Sequence, residues 1–360
     1  MNSHPILKRV LTYCAALSIM AWSQVTPAQM PARGQARDQQ PAPTLDQDQG
    51  TIKISTEMVQ VAFAVVDSQN HLVKDLRSSD VQVYDDGRLQ KLELFKLSNS
   101  VPMVLSILID KSASQEAVLN YEKNAIDLFL DSYFRPGVDY CSLLTFQWKL
   151  SLATGLTDNL RQLKSSLRGI EREQVFRDEE GGVPLLGTAL YDGLINAARE
   201  VLTGRTARLI TGEAATGSNQ VTEENIQRKA IRRAVIVLTD GVDTASQSSV
   251  EQVISLYQRY GIAIYAVGIG DVSRRRQVND KVLERLTSET GGMAFYSTRE
   301  DEIESNFKKV VDALSSLYLV AYYPTGVQEG KGFRRIEIKL PRRPADRVIH
   351  RAGYQIEDKQ

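Results

Sequence analysis

Only three histidines and two cysteines occur in 360 residues, and that scarcity closes off much catalytic chemistry. His4 lies near the N-terminus, while His71 and His350 fall in stretches that read as strands or turns. No His-Glu-x-x-His helix, Gly-x-Ser-x-Gly elbow or Walker loop is found. Gly268 and Gly270 lack the third glycine of a dinucleotide fingerprint and read as a strand end. An excess of one charge is missing too. Lys plus Arg and Asp plus Glu both total 44, so bulk charge draws the chain neither to nucleic acid nor to an anionic membrane. The N-terminal apolar run, Val10 to Trp22, is about a dozen residues long, short of the roughly 20 that span a bilayer.

That run instead has the pattern of an export signal. Lys8 and Arg9 precede it, and Thr26-Pro27-Ala28 offers small residues for cleavage after Ala28. An uncleaved anchor is the alternative. A lipid on Cys14 is disfavoured, because bulky Tyr13 stands where such signals want a small residue. Removal of residues 1–28 deletes Lys8 and Arg9 and no acid, so the formal charge becomes 0 − 2 = −2. The product is expected to be exported, whether periplasmic, secreted or on the cell surface, with no transmembrane span in the mature chain. Cys141 is then the one remaining cysteine, and its apolar neighbours predict a buried, inert thiol.

Hydrophobic residues make up 42% of the chain, enough for a substantial core. Residues 29–50 are rich in Gln, Pro, Ala and Asp and read as a disordered linker. From 51 to 100 the texture has period two. Val59, Val61, Phe63 and Val65 alternate with polar or small residues, Val81 and Val83 do the same, and Asp85-Asp86-Gly87 is a turn signal. Between 101 and 317 near-continuous apolar runs (Val104 to Ile109, 141–146, 234–238, 262–267) alternate with helical stripes such as Val118/Leu119/Ala125/Ile126/Phe129 and Ile303/Phe307/Val310/Leu314. This predicts an α/β fold, a doubly wound, mostly parallel sheet with helices on both faces. The period-two texture returns over 318–360. Both flanking segments should leave the sheet at the ends of its strands opposite the ligand-binding rim. Each is too small to fold well alone, so they are expected to pair into a small antiparallel β-sandwich.

Three loops at the C-terminal rim of the sheet carry oxygen donors: Asp110-Lys111-Ser112-Ala113-Ser114 after the first apolar strand, Gly187-Thr188 opening a helix, and Thr239-Asp240-Gly241 after strand 234–238. Ligands bind at that rim in open α/β sheets. Two carboxylates and three hydroxyls suit a hard cation such as Mg²⁺, with Mn²⁺ or Ca²⁺ as alternatives. Capping residues without a metal are the plainer explanation. The conjunction of the three loops in order favours the metal.

These residues resemble the von Willebrand factor A (VWA) domain and its metal-ion-dependent adhesion site. The resemblance covers about 100–317. It implies that Ser112 and Ser114 bind the ion directly, that Thr188 does so when ligand is engaged, and that Asp110 and Asp240 act largely through water. It also implies that an Asp or Glu of a partner protein completes the coordination. Ala113 departs from the Gly that many members have. The whole chain is also similar to bacterial exported proteins in which β segments flank such a domain, with Tyr322-Tyr323-Pro324 after the last helix.

The expected function is metal-dependent protein binding, with no catalytic residues. The alternative is an envelope scaffold with a purely structural metal, and a metal-dependent hydrolase is the weaker third option. Residues 203–232 read as an inserted loop away from the metal. Asp178-Glu179-Glu180 and Arg274-Arg275-Arg276 lie on top-face loops, where the arginines are candidates to steer an acidic partner. The partner's identity and the oligomeric state are not legible.

Overall fold

The computed structural model describes residues 58–171 (apart from Ala113 and Glu116), 187–198, 230–270, 278–326 and 332–356. The signal, the linker, the acidic loop at 178–180, the bulk of the 203–232 insertion and Arg274 to Arg276 lie outside these residues.

The strands are β1 (Val59–Val66), β2 (Gln82–Asp85), β3 (Arg88–Leu89), β4 (Leu94–Leu97), β5 (Met103–Asp110), β6 (Tyr140–Phe146), β7 (Leu150–Thr157), β8 (Arg232–Thr239), β9 (Ile262–Ile269), β10 (Ala294–Ser297), β11 (Tyr318–Tyr322), β12 (Gly332–Lys339), β13 (Arg347–His350) and β14 (Gly353–Ile356). The helices are α1 (Leu119–Ser132), α2 (Leu160–Arg168), α3 (Leu190–Ala197), α4 (Val250–Tyr260), α5 (Asp280–Thr290) and α6 (Glu302–Ser315).

Six strands form the central sheet in the order β10-β9-β8-β5-β6-β7. All neighbours are parallel except the antiparallel edge strand β7. Alternation along β5 sorts the two cores. Leu105, Ile107 and Ile109 join α1, α2 and α6 on one face, while Val104 and Leu108 join α3, α4 and α5 on the other. Helices on both faces explain why β5, β8 and β9 are continuously apolar. The doubly wound sheet expected from the sequence is therefore present. The sequence reading had no counterpart for β7, α2 or α5.

The flanking segments build two antiparallel sheets, β13-β1-β11-β4 and β14-β12-β2-β3. Their shared core holds Val61, Phe63, Val65, Val83, Tyr318, Tyr322, Ile336 and Ile338. Phe63 and Phe95 each stack on Tyr318, with centroids 5.3 and 5.5 Å away. Each sheet takes strands from both ends of the chain, which is the small sandwich anticipated from the topology. The Asp-Asp-Gly signal resolves into a two-residue hairpin turn between β2 and β3, with positive φ at Asp86 (47°) and Gly87 (77°).

β4 leads into β5, and α6 leads out to β11, so the chain enters and leaves the α/β sheet through two paired strands, with Leu97 opposite Tyr318. Buried charge secures this junction. Asp139 accepts the Met103 N–H at 2.9 Å and binds the Arg135 guanidinium, which also reaches the Val101 carbonyl. Arg232 donates to the carbonyls of Leu314 and Val101, both at 2.9 Å. Arg351 bridges Gln258 of α4 and Gln60 of β1. Gly291 (φ 88°) ends α5 in close contact with this joint, since a Cβ there would lie 2.5 Å from the Arg351 amide nitrogen.

Candidate metal centre

β5 is the point where the strand order reverses: the chain moves to β6 on one side and later returns to β8 on the other. The crevice at the C-terminal ends of β5 and β8 is the topological switch point of the sheet. Asp110 ends β5, and Asp240 directly follows β8.

Asp110 is fully buried. One oxygen accepts the Ser112 N–H at 2.8 Å, which closes the turn after β5. The other accepts the Thr239 hydroxyl at 2.7 Å, which ties that turn to the end of β8. Burial pushes its pKa up to about 6 against the pull of these hydrogen bonds, and the nearby Asp240 carboxylate pushes in the same direction. The Ser112 and Ser114 hydroxyls lie 2.8 Å apart. Gln115 then donates to the Ile269 carbonyl at 3.2 Å and pins the loop to the end of β9.

The other two loops are laced together. The Thr188 amide donates to the Thr244 hydroxyl at 2.8 Å, and the Thr188 carbonyl accepts the amides of Thr244 and Ala245 at 2.9 and 3.1 Å. Asp192 accepts the amides of Gln247 and Ser248, and Asp243 accepts the Tyr191 amide. Gly187 permits this packing, because a Cβ there would fall 2.7 Å from the Ala245 Cβ. At the end of β8, Asp240 accepts the Val242 amide at 3.0 Å, and its carbonyl holds Asn279. A third link is the β6–β7 hairpin. Phe146 accepts the Lys111 amide at 2.7 Å, and Gln147 accepts the Ala189 amide at 2.6 Å.

The structure thus bonds Asp110, Ser112 and Ser114 into one turn, couples Asp240 to Asp110 by charge, and joins Thr188 to the segment following Asp240. Sequence reasoning missed Asp243, Thr244 and the β6–β7 hairpin as the parts that hold Thr188. It also missed Glu122. This α1 residue is fully buried, neither carboxyl oxygen has a hydrogen-bond partner, and burial together with the Asp110 charge raises its pKa well above the ordinary range.

The donor chemistry fits a hard cation. Among the described residues no three His, Cys, Asp or Glu side chains gather closely enough to chelate an ion by themselves, so a metal here must draw on hydroxyls as well as carboxylates. Asp110 meets that requirement, being a buried carboxylate with only neutral donors and a second acid beside it. His71 and His350 lie in the sandwich segments, away from this rim. Cys141 is buried in β6, where burial raises its thiol pKa and leaves it inert.

Residues 192–309 match the family model of the von Willebrand factor type A domain. This chain carries a VWA domain. The match includes Asp240 and begins after Asp110, Ser112, Ser114 and Thr188. A Borreliella burgdorferi protein of uncharacterised function is 30% identical over 90 residues, 20% of this chain and 26% of that protein. Among solved structures, proximal thread matrix protein 1 from the mussel byssus is 18% identical with a TM-score of 0.46, covering 64% of this chain and 49% of that one. Another structure of that protein is described as having a zinc-occupied MIDAS motif. An aerotolerance-related membrane protein from Bacteroides fragilis is 15% identical with a TM-score of 0.40, covering 58% of this chain and 98% of that one. The chain therefore spans about a quarter of the bacterial relative and about half of the mussel protein.

Proposed function

We propose that this protein binds another protein through a divalent cation held at the rim of its VWA domain, by Asp110, Ser112, Ser114, Thr188 and Asp240, with Mg²⁺ the ion that suits an all-oxygen set best. The observation that carries this reading is the full burial of Asp110 beside a second carboxylate, with no Lys or Arg paired to it among the described residues. A bound cation would neutralise both acids. Because three of the five donors are neutral hydroxyls, it would keep enough positive charge to attract an Asp or Glu from a partner.

Binding is favoured over catalysis because, among the described residues, the rim offers no histidine and no cysteine thiol. The N-terminal signal pattern supports a location outside the cytoplasm, and among the described residues no helix is long and apolar enough to cross a membrane. The competing reading is an envelope scaffold in which the ion merely ties three loops together.

Capture from envelope extract separates the two readings, run with Mg²⁺ and with EDTA on the wild-type chain and on Asp110→Ala. Partner capture that needs Mg²⁺ and fails in Asp110→Ala, at an unchanged melting temperature without metal, supports the binding role. A large fall in stability on adding EDTA, with no metal-dependent partner, supports the scaffold.

A further inference from the structure

A tryptophan side chain stands out of place at the described rim. Trp148 sits at the tip of the β6–β7 hairpin and is 48% exposed. Tryptophan is on average a highly buried residue, and when exposed in a rigid setting it is a preferred anchor for protein partners. This setting is anchored. The two residues that precede Trp148 are bound by their main chains to the loops of the candidate metal centre, Phe146 to Lys111 and Gln147 to Ala189. The tip is closed by the Gln147 amide on the Lys149 carbonyl at 3.2 Å. Gln147 is itself buried, with its side-chain oxygen unpartnered. The Lys149 ammonium lies 4.4 Å from the centre of the Trp148 ring, which adds a positive charge to the aromatic surface. On the β8 side of the centre, Val242 is 39% exposed and its amide is fixed by Asp240.

We infer that Trp148, with Lys149 beside it and Val242 on the other side of the centre, is the specificity surface of the metal site. Its ligand is an extended protein segment whose acidic residue has an aromatic or large apolar side chain two positions away. The inference rests on the metal-dependent binding proposed above and specifies its partner. The hairpin is tied to both the Asp110 turn and the Thr188 turn, so a segment whose carboxylate sits between those turns passes alongside the tip. Neighbouring residues of an extended chain are about 3.3 Å apart along its axis and point to opposite sides. The residue two along from the acid, roughly 6.6 Å away and on the same side as the acid, is therefore the one that meets Trp148 or Val242. The charge matches as well: Lys149 favours an acidic segment and repels a basic one.

The test uses the full chain carrying Trp22→Phe, which leaves Trp148 as its sole tryptophan, since the sequence has two. The probes are Mn²⁺ alone and streptavidin-displayed peptides with Asp-Gly-Phe, Phe-Gly-Asp, Asp-Gly-Gly or Asn-Gly-Phe between glycines. Expected is quenching of Trp148 emission by Mn²⁺, and Mn²⁺-dependent binding of an Asp peptide with Phe two positions away about tenfold tighter or more than Asp-Gly-Gly. Asn-Gly-Phe should not bind. Trp148→Ala should reduce the Phe-containing peptides to the Asp-Gly-Gly level while leaving the Mn²⁺ affinity unchanged. If Mn²⁺ binds but Phe gives no advantage, if Trp148→Ala retains it, or if no peptide binds at all, the hairpin assignment is wrong while the metal centre stands. If Mn²⁺ itself does not bind, both fail together.

Discussion

Asp85 and Asp110 are both fully buried aspartates at the ends of strands, and they sit in opposite electrostatic settings. Asp85, in the sandwich, receives the Arg334 guanidinium at 2.6 Å and the hydroxyls of Tyr322 and Tyr354 at 3.0 and 2.8 Å. Its charge is matched and both oxygens are bonded. Asp110, at the rim of the α/β sheet, receives one hydroxyl and one amide, and among the described residues no Lys or Arg pairs with it. The junction side of the molecule follows the pattern of Asp85, with Arg135 set against Asp139 and Arg232 and Arg351 donating to main-chain carbonyls. Burial of charge therefore does not mark a functional site in this protein. Burial without counter-charge is what sets Asp110 apart from Asp85, and it is relieved either by protonation or by a positive charge from outside the chain.

Removal of each aspartate should separate the two settings. Asp85→Ala strands Arg334 in the sandwich and is expected to cost about 3–5 kcal/mol in urea denaturation. Asp110→Ala, measured without metal, should leave stability unchanged or raise it. Equal losses would erase the distinction.

The second expectation concerns pH. In EDTA the folded pKa of Asp110 is about 6, against an ordinary 3.8. The folded chain thus holds this proton more tightly than the unfolded chain does. The stability so contributed is complete below about pH 4 and is lost as pH rises through about 6, a change on the order of 3 kcal/mol. Asp110→Asn should lack that decline, so the difference between the two denaturation curves isolates it. A constant difference from pH 4 to pH 7 would contradict the assignment.

The smallest effect is expected at Glu122, the other buried acid with no counter-charge among the described residues. Its folded pKa is raised, so its penalty grows as pH climbs above the usual carboxylate range. Glu122→Gln should therefore gain about 1 kcal/mol at pH 8 and nothing at pH 4, read from melting curves. A loss of stability at pH 8 would mean that the carboxylate has a partner the variant destroys.

Much of this architecture could be read from residue order. The alternation of apolar runs and helical stripes is enough for the α/β sheet, and the exit of both flanks at one end is enough for the sandwich. The Asp110 turn, Thr188 and Asp240 announce themselves by residue type at strand ends. What stayed hidden depends on distant partners or weak patterns. Asp85 reads as part of a turn because Arg334 is 249 residues away in sequence. Glu122 falls three residues after Leu119 and four before Ile126, inside the buried stripe of α1, yet an acid in that place reads as solvent-facing. β7 is an edge strand with exposed Ser151, Leu152 and Ala153, so it shows little of the burial that makes β5 conspicuous. Trp148 was passed over because its meaning comes from two main-chain bonds to other loops.

The most direct test is a calorimetric titration of Mg²⁺, then Mn²⁺, into the full chain and into Asp110→Ala at pH 7.5, with melting temperatures recorded alongside. Binding of one ion per wild-type chain is expected, with a stabilisation of about 2.7 kcal/mol at a hundredfold excess over Kd and neither effect in Asp110→Ala. A wild-type chain that takes up no ion, or a variant that binds as well as the wild type, would contradict the claim that the buried carboxylate awaits a cation.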